Sequence, residues 1–271
     1  MTCKQNKKEE SYEFFENIVN YIDKAKSAES NAEPSNAVSE CNSFMETSGS
    51  YFTVEETAKR ICQQYVKLYN SLTDCKINSS SNPNYQKCRD FLNYWVNFKL
   101  IEIMKKEYHS VINVHGHLES QITFSNLGIN IVCIHDINKD DLYKMNILYR
   151  LYKNYTDLDT ILESRSNTVK KTSLSLSTAC CKDYLEARYI CDTSKNNSNS
   201  PFCNKLNDFK SKYDKLDDKF VREPSEISDY LIKLSECPNT KIISTAVTGT
   251  VVGLIPLLGV LYKVSELNIN L

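Results

Sequence analysis

The chain has 271 residues, of which 25% are charged and 41% hydrophobic, with a net charge of −1; this balance excludes a disordered polyelectrolyte. No overall basic field is present, so neither a nucleic-acid binder nor a protein held to an anionic surface by net charge is expected. Six Gly and six Pro are few for an all-β protein and suit a mostly helical one.

The amino-terminal MTCKQNKKEESYEFF carries charges but no apolar run. A conventional secretory signal needs an apolar core of about 7–15 residues, and none is read before residue 50. Apolar side chains at 12, 15, 18, 19 and 22 predict a helix over 11–26. Residues 27–50 are polar and small and read as a long loop. Thr53 and Glu56 have capping-box spacing, and the helix they predict places Val54, Ala58, Ile61, Cys62, Tyr65, Leu68, Tyr69 and Leu72 on one face. A polar loop framed by Cys75 and Cys88 leads into CRDFLNYWVNFKLIEIMKKEY, which reads as one long helix.

Residues 110–135 contain β-branched alternation in VINVHGH and ITFSNLGINIVCIH, the signature of short strands or irregular structure. Helical spacing returns over 137–162, with Leu142, Met145, Leu148, Tyr149, Tyr152 and Tyr155 at steps of three and four. The polar tract SRSNTVKKTSLSLST separates it from CCKDYLEARYIC, and a second polar loop follows. Phe202, Leu206, Phe209, Tyr213, Leu216 and Phe220 then alternate steps of four and three, the seam of one helix. Ile227, Tyr230, Leu231 and Leu234 predict a short last helix before Cys237.

IISTAVTGTVVGLIPLLGVLY, residues 242–262, lies uncharged between Lys241 and Lys263. At about 1.5 Å per residue it reaches about 31 Å, close to the roughly 30 Å of a bilayer core, and it is read as a membrane span. A buried core helix is the alternative, though one so long normally shows a polar stripe. Gly249 and Gly253 have GxxxG spacing, which lets two spans approach and form a homodimer; glycines are also common in spans for their own sake. Lys241 and Lys263 balance each other, so the positive-inside rule gives no orientation.

Eleven cysteines are many for a cytosolic protein of this length. Cys75 with Cys88, and Cys191 with Cys203, each bracket a polar loop and are candidate disulfides, although spacing alone does not decide connectivity. Adjacent Cys180 and Cys181 are expected to reach different partners, and Cys3 is the candidate odd thiol. Cys62 and Cys133 also fit small buried residues on helical faces. Zinc is not expected, because no CxxC pair exists, and His115, His117, Glu119 and Cys133 lack any metal-site spacing. GxSxG, GxGxxG and P-loop patterns are absent, so neither an enzyme nor a bound cofactor is read.

Several stretches together resemble the Plasmodium interspersed repeat family, its vir branch in particular. CRDFLNYWVNFKL, with Cys88, Leu92, Asn93, Tyr94 and Trp95, is similar to the family's Cys-x-x-Leu-Asn-Tyr-Trp pattern. LYRLYKNYTDLDTI (148–161) looks like its Tyr- and Asp-rich segment, and PFCNKLNDFKSKYDKL (201–216) resembles its Phe-Cys-x-x-Leu-x-x-Phe stretch. The terminal span with Leu261-Tyr262-Lys263 completes the order, so the resemblance covers roughly residues 10–263. One departure is that family members continue with a Thr-Pro, Gly and Trp-Leu-Arg tail, where this chain reads VSELNINL. The resemblance implies a variant protein exported without a conventional signal to the infected red cell, with no enzymatic activity and with roles in antigenic variation, adhesion or engagement of host receptors.

The expectation is therefore an all-α, cysteine-containing ectodomain of six or seven helices plus one carboxy-terminal transmembrane helix. Residues 1–50 form an N-terminal helix and polar loop, 51–240 the helical cysteine-rich domain, 242–262 the span and 263–271 a short tail. The expected partners are a host-cell receptor or antibodies, met at the polar loops 27–50, 76–87, 164–178 and 192–201, together with the lipid bilayer. The rival reading is a tail-anchored internal membrane scaffold with its helices in a cytosol, which would leave most thiols free.

Overall fold

The computed structural model describes residues 10–237, apart from 31–35, 77–81, 106–109, 124–131, 133, 164–168, 194–199 and 222–230. Among the described residues the fold is all-α: eight α-helices and short 3-10 turns, with no strand and one isolated antiparallel bridge between Phe52 and Met104. The expected number was six or seven. The additions are α2 (Val38–Ser48) and α5 (Val111–Thr123), while the expected last helix is represented among these residues only by a 3-10 turn at Leu234–Glu236.

Helix α4 (Pro83–Ile101) is the axis of the molecule. Phe91, Leu92, Asn93, Tyr94, Trp95, Val96 and Asn97 are consecutive buried residues, so it is covered on every side and lacks a solvent stripe. Pro83 supplies a φ suited to the first turn, and the Asn82 side chain accepts the Asn84 amide at 3.0 Å. A 3-10 turn at Glu13–Asn17 runs into α1 (Ile18–Glu29) and brings Phe14 and Phe15 onto it. Phe14 stacks on Tyr94 at 5.5 Å between ring centroids, and Tyr21 on Phe91 at 4.6 Å.

Helix α3 (Glu55–Ser71) buries Ala58, Ile61, Cys62, Tyr65, Leu68 and Tyr69 along the expected seam. Its start differs from expectation. Val54 is 53% exposed and extended, and no side chain caps the helix. Thr53 is occupied elsewhere: its amide and its hydroxyl both donate to the Ile103 carbonyl, at 2.8 and 3.0 Å. A long-range anchor has displaced the local capping box.

Two further segments correct the sequence reading. In α2, Cys41 and Phe44 are buried while Ser, Asn and Glu fill the other faces, so the helical period rests on too few apolar residues to be seen among polar ones. In α5, Val111, Val114, His115, Leu118 and Ile122 are buried at helical steps, and the β-branched residues that suggested strands form its core face. Asp136 caps α5 from across the fold, accepting the Ile112 amide and the Ser110 hydroxyl at 3.0 Å each.

The remaining helices, α6 (Lys139–Glu163), α7 (Val169–Thr193) and α8 (Pro201–Val221), pack on one another, with α6 also against α1 and α4. The α8 seam is buried at Phe202, Leu206, Phe209, Tyr213 and Leu216; the side chain of Phe220 lies outside the described residues. The polar tract 164–178 is helical from Val169, and Ser173 and Ser177 are fully buried. These two serines lie inside the helix packing, while Thr172, Ser175 and Thr178 of the same tract face outward. Helix α2 packs on α3 and α5, which meet through Tyr65 and His115 and pack on α4, with α3 also on α1, so the molecule has an α2–α3–α5 side and an α7–α8 side.

Candidate functional site

Four cysteine pairs stand at bonding geometry: Cys41–Cys62, Cys75–Cys88, Cys181–Cys237 and Cys191–Cys203, with Cα separations of 5.8, 5.5, 5.4 and 5.9 Å, within the usual range. The two candidate pairs, Cys75 with Cys88 and Cys191 with Cys203, are thus brought together. Cys62, also read as a small core residue, is bridged to α2. The Cys41–Cys62 and Cys181–Cys237 pairs lacked any bracketing signal in sequence, because the packing of α2 on α3 and of the segment 231–237 on α7 and α8 sets their approach.

Cys180 and Cys181 diverge: Cys181 reaches Cys237, while Cys180 is buried as a free thiol against α6, its Sγ 3.9 Å from the Leu151 carbonyl. Burial pushes the Cys180 thiol well above its ordinary range, helped by Asp183. A thiol held protonated is unreactive. The expected result is that Cys180 resists a thiol reagent in the native protein and is modified stoichiometrically in denaturant, read by peptide mapping. Modification at equal rates in both conditions would contradict its burial. Cys3, Cys133, Gly249 and Gly253 lie outside the described residues.

The motif stretch around Trp95 does structural work at Asn93, Tyr94, Trp95, Asn97 and Lys99. The Trp95 indole donates to Glu29 Oε1 at 3.0 Å, which Lys99 also meets at 3.0 Å. The Tyr94 hydroxyl donates to Asn146 Oδ1 at 2.8 Å. Asn93 Oδ1 accepts the His135 amide at 2.8 Å, Asn97 Nδ2 donates to the His135 carbonyl at 2.9 Å, and Asn97 Oδ1 accepts the Ile137 amide at 3.0 Å. Two buried amides on one face of α4, at i and i+4, therefore satisfy the backbone of an extended segment laid across it. Nε2 of His135 lies 3.0 Å from a Glu10 carboxylate oxygen, tying down the amino-terminal arm.

The three histidines among the described residues are not gathered into a site. His117 Nδ1 meets the Ser48 hydroxyl at 3.0 Å, and His135 lies at the Glu10 contact. His115 is buried edge-to-face against Tyr65, with ring centroids 5.3 Å apart. No group of three or more His, Cys, Asp and Glu among the described residues could hold a metal ion. Nε2 of His115 and the Tyr65 hydroxyl are both buried without a hydrogen-bond partner among the described residues.

Burial pushes the His115 imidazole down to about 3. The unfolded chain therefore takes up a proton near pH 6.5 that the folded chain refuses. Stability contributed by neutral His115 is complete above pH 6.5 and is lost as pH falls toward 3. At pH 5 the expected loss is about 2 kcal/mol, from 1.36 kcal/mol per unit over about 1.5 units. Denaturant melts at pH 7.5 and pH 5 check it. His115→Phe should flatten that part of the profile, and an unchanged slope in the variant would assign the effect elsewhere.

Ion pairs set the remaining electrostatics. The Lys87 and Lys205 ammonium groups, from α4 and α8, converge on Glu16 at 2.6 and 3.1 Å and hold its carboxyl down at about 2. Arg150 of α6 forms a two-pronged contact to Asp183 of α7, through Nε at 3.1 Å and Nη2 at 2.9 Å, with Glu186 at 3.6 Å. The Tyr143 hydroxyl donates to Glu186. These pairs tie α8 and α4 to the turn that holds Glu16, and α6 to α7.

No known family, curated protein or solved structure matches the chain. Among the described residues no helix is long and apolar enough to cross a membrane; residues 242–262 lie outside them.

Proposed function

We propose that this chain is a variant surface protein of the Plasmodium interspersed repeat type: a disulfide-stapled helical ectodomain anchored by residues 242–262 and displayed on the infected red cell for immune evasion and contact with host receptors. The observation that carries this reading is the pairing of eight of the nine described cysteines. Such a framework belongs to an oxidising compartment, and a reducing cytosol would leave it open. Support also comes from the collinear motifs and from the length and apolarity of 242–262. The motif residues Cys88, Leu92, Asn93, Tyr94 and Trp95 are buried in the core, so variation on the surface need not disturb them. Of the stretches first expected to carry epitopes, 38–48 and 169–178 are helical, so their outward residues rather than loops would be contacted there.

Protease treatment of intact infected red cells, followed by detection of the 1–240 region and disulfide mapping, tests the proposal. Cleavage of that region with the four bridges recovered is the expected result. Full protection together with free thiols would overturn it in favour of a tail-anchored scaffold facing a cytosol.

A further inference from the structure

The last described segment does not trail from the domain. Leu231 and Leu234 are buried, the Tyr213 hydroxyl of α8 donates to the Ile232 carbonyl at 3.0 Å, and Cys237 is bonded to Cys181 halfway along α7. Only Pro238, Asn239, Thr240 and Lys241 then separate this fixed point from Ile242, the first residue of the apolar stretch. Five residue steps reach at most about 18 Å even when fully extended. Without the bridge and the packing of 231–237, the nearest helical anchor would be the end of α8 at Val221. The covalent reach to Ile242 would then be up to about 75 Å.

We propose that the Cys181–Cys237 bridge seats the α7–α8 side of the domain against the headgroup surface of the bilayer and turns the α2–α3–α5 side outward, away from it. The inference rests on the reading of 242–262 as a span. The leash is short and is fastened at the middle of α7, not at an end of the helical stack. A domain about as wide as its helices are long cannot turn that point away from a surface less than about 18 Å off. Helix α2 packs on α3 and α5, which pack on α4, and α7 and α8 pack on α6 and each other, so the two sides are different elements. Cys41–Cys62 braces the outward side independently, holding α2 on α3.

Amine labelling with a membrane-impermeant reagent tests this on the full chain. Lys182, beside Cys181, and Lys233, four residues before Cys237, report the seated side; Lys59 on α3 and Lys76 after it report the outward side. Each lysine is compared between intact infected cells and detergent-solubilised protein, which cancels intrinsic reactivity. Labelling of Lys182 and Lys233 is expected to rise severalfold on solubilisation while Lys59 and Lys76 stay constant. Equal labelling of all four lysines in both states would overturn the seating and leave the surface reading standing. Protection of all four on intact cells would overturn the surface reading beneath it. In Cys181→Ser/Cys237→Ser the longer leash should bring Lys182 on intact cells to its solubilised level; the wild-type comparison decides the matter even if that variant folds poorly.

Discussion

Cys181→Ser/Cys237→Ser is expected to lower the unfolding free energy by about 4 kcal/mol, more than loss of any other bridge among the described residues. The bridge closes 56 residues, against 21 for Cys41–Cys62, 13 for Cys75–Cys88 and 12 for Cys191–Cys203. In the chain-entropy account the unfolded state gains freedom with the logarithm of loop length, so each shorter bridge contributes about 3 kcal/mol. The native contacts around Cys237 add to the difference, since Leu231 and Leu234 are buried only while that segment is held down. Paired serine variants compared by denaturant unfolding give the order directly. Equal losses for all four pairs would mean that native contacts, not loop closure, set each bridge's worth.

Arg150→Ala should cost about 3–5 kcal/mol, the penalty for stranding a buried charge. Asp183 keeps only 10% of its side chain exposed and Glu186 only 14%, so both carboxylates would lose their cation away from water. The effect belongs to the interface of α6 with α7. The paired replacement Arg150→Met/Asp183→Leu removes both charges at similar volume and should recover most of the loss, because an apolar pair need not be worse than a buried ion pair. A double variant as unstable as Arg150→Ala would locate the energy in shape at that interface. By contrast, Lys153 and Asp157, an exposed i,i+4 pair on α6 at 3.1 Å, should contribute no more than about 0.5 kcal/mol.

The readable helices share one property: each buries a stripe of large apolar side chains at steps of three and four. The seams of α3 and α8 lie where spacing placed them, through Tyr65 and Leu68 in one and Phe209 and Tyr213 in the other. The misread helices lack that stripe for different reasons. Helix α2 is secured by a covalent bond to Cys62 and needs little apolar area. Helix α5 uses Val and Ile where propensity favours strands, and its first turn is capped by Asp136 from a distant segment. The first turns of α7 pack through Ser173 and Ser177, whose small size permits close approach but whose polarity mimics a loop.

The motif around Trp95 shows the same division. Sequence marks Asn93 and Asn97 only as polar residues in an aromatic helix. Their task is to satisfy the backbone of His135 and Ile137, some 40 positions away. An intra-helix signal cannot carry a partner that arrives from outside the helix.

The helical class, the main core seams, a long uncharged stretch at 242–262 and, as candidates only, the two loop-bracketing cysteine pairs were legible in the amino-acid sequence. All of these are local, since periodicity, spacing and missing charge are properties of a few turns. Tertiary structure alone decided which cysteines meet across helices, which of Cys180 and Cys181 is bonded, and that residues 231–237 are fastened to the middle of α7. Those outcomes depend on which helix faces which, and that is set by complementary packing over distances the local pattern does not encode.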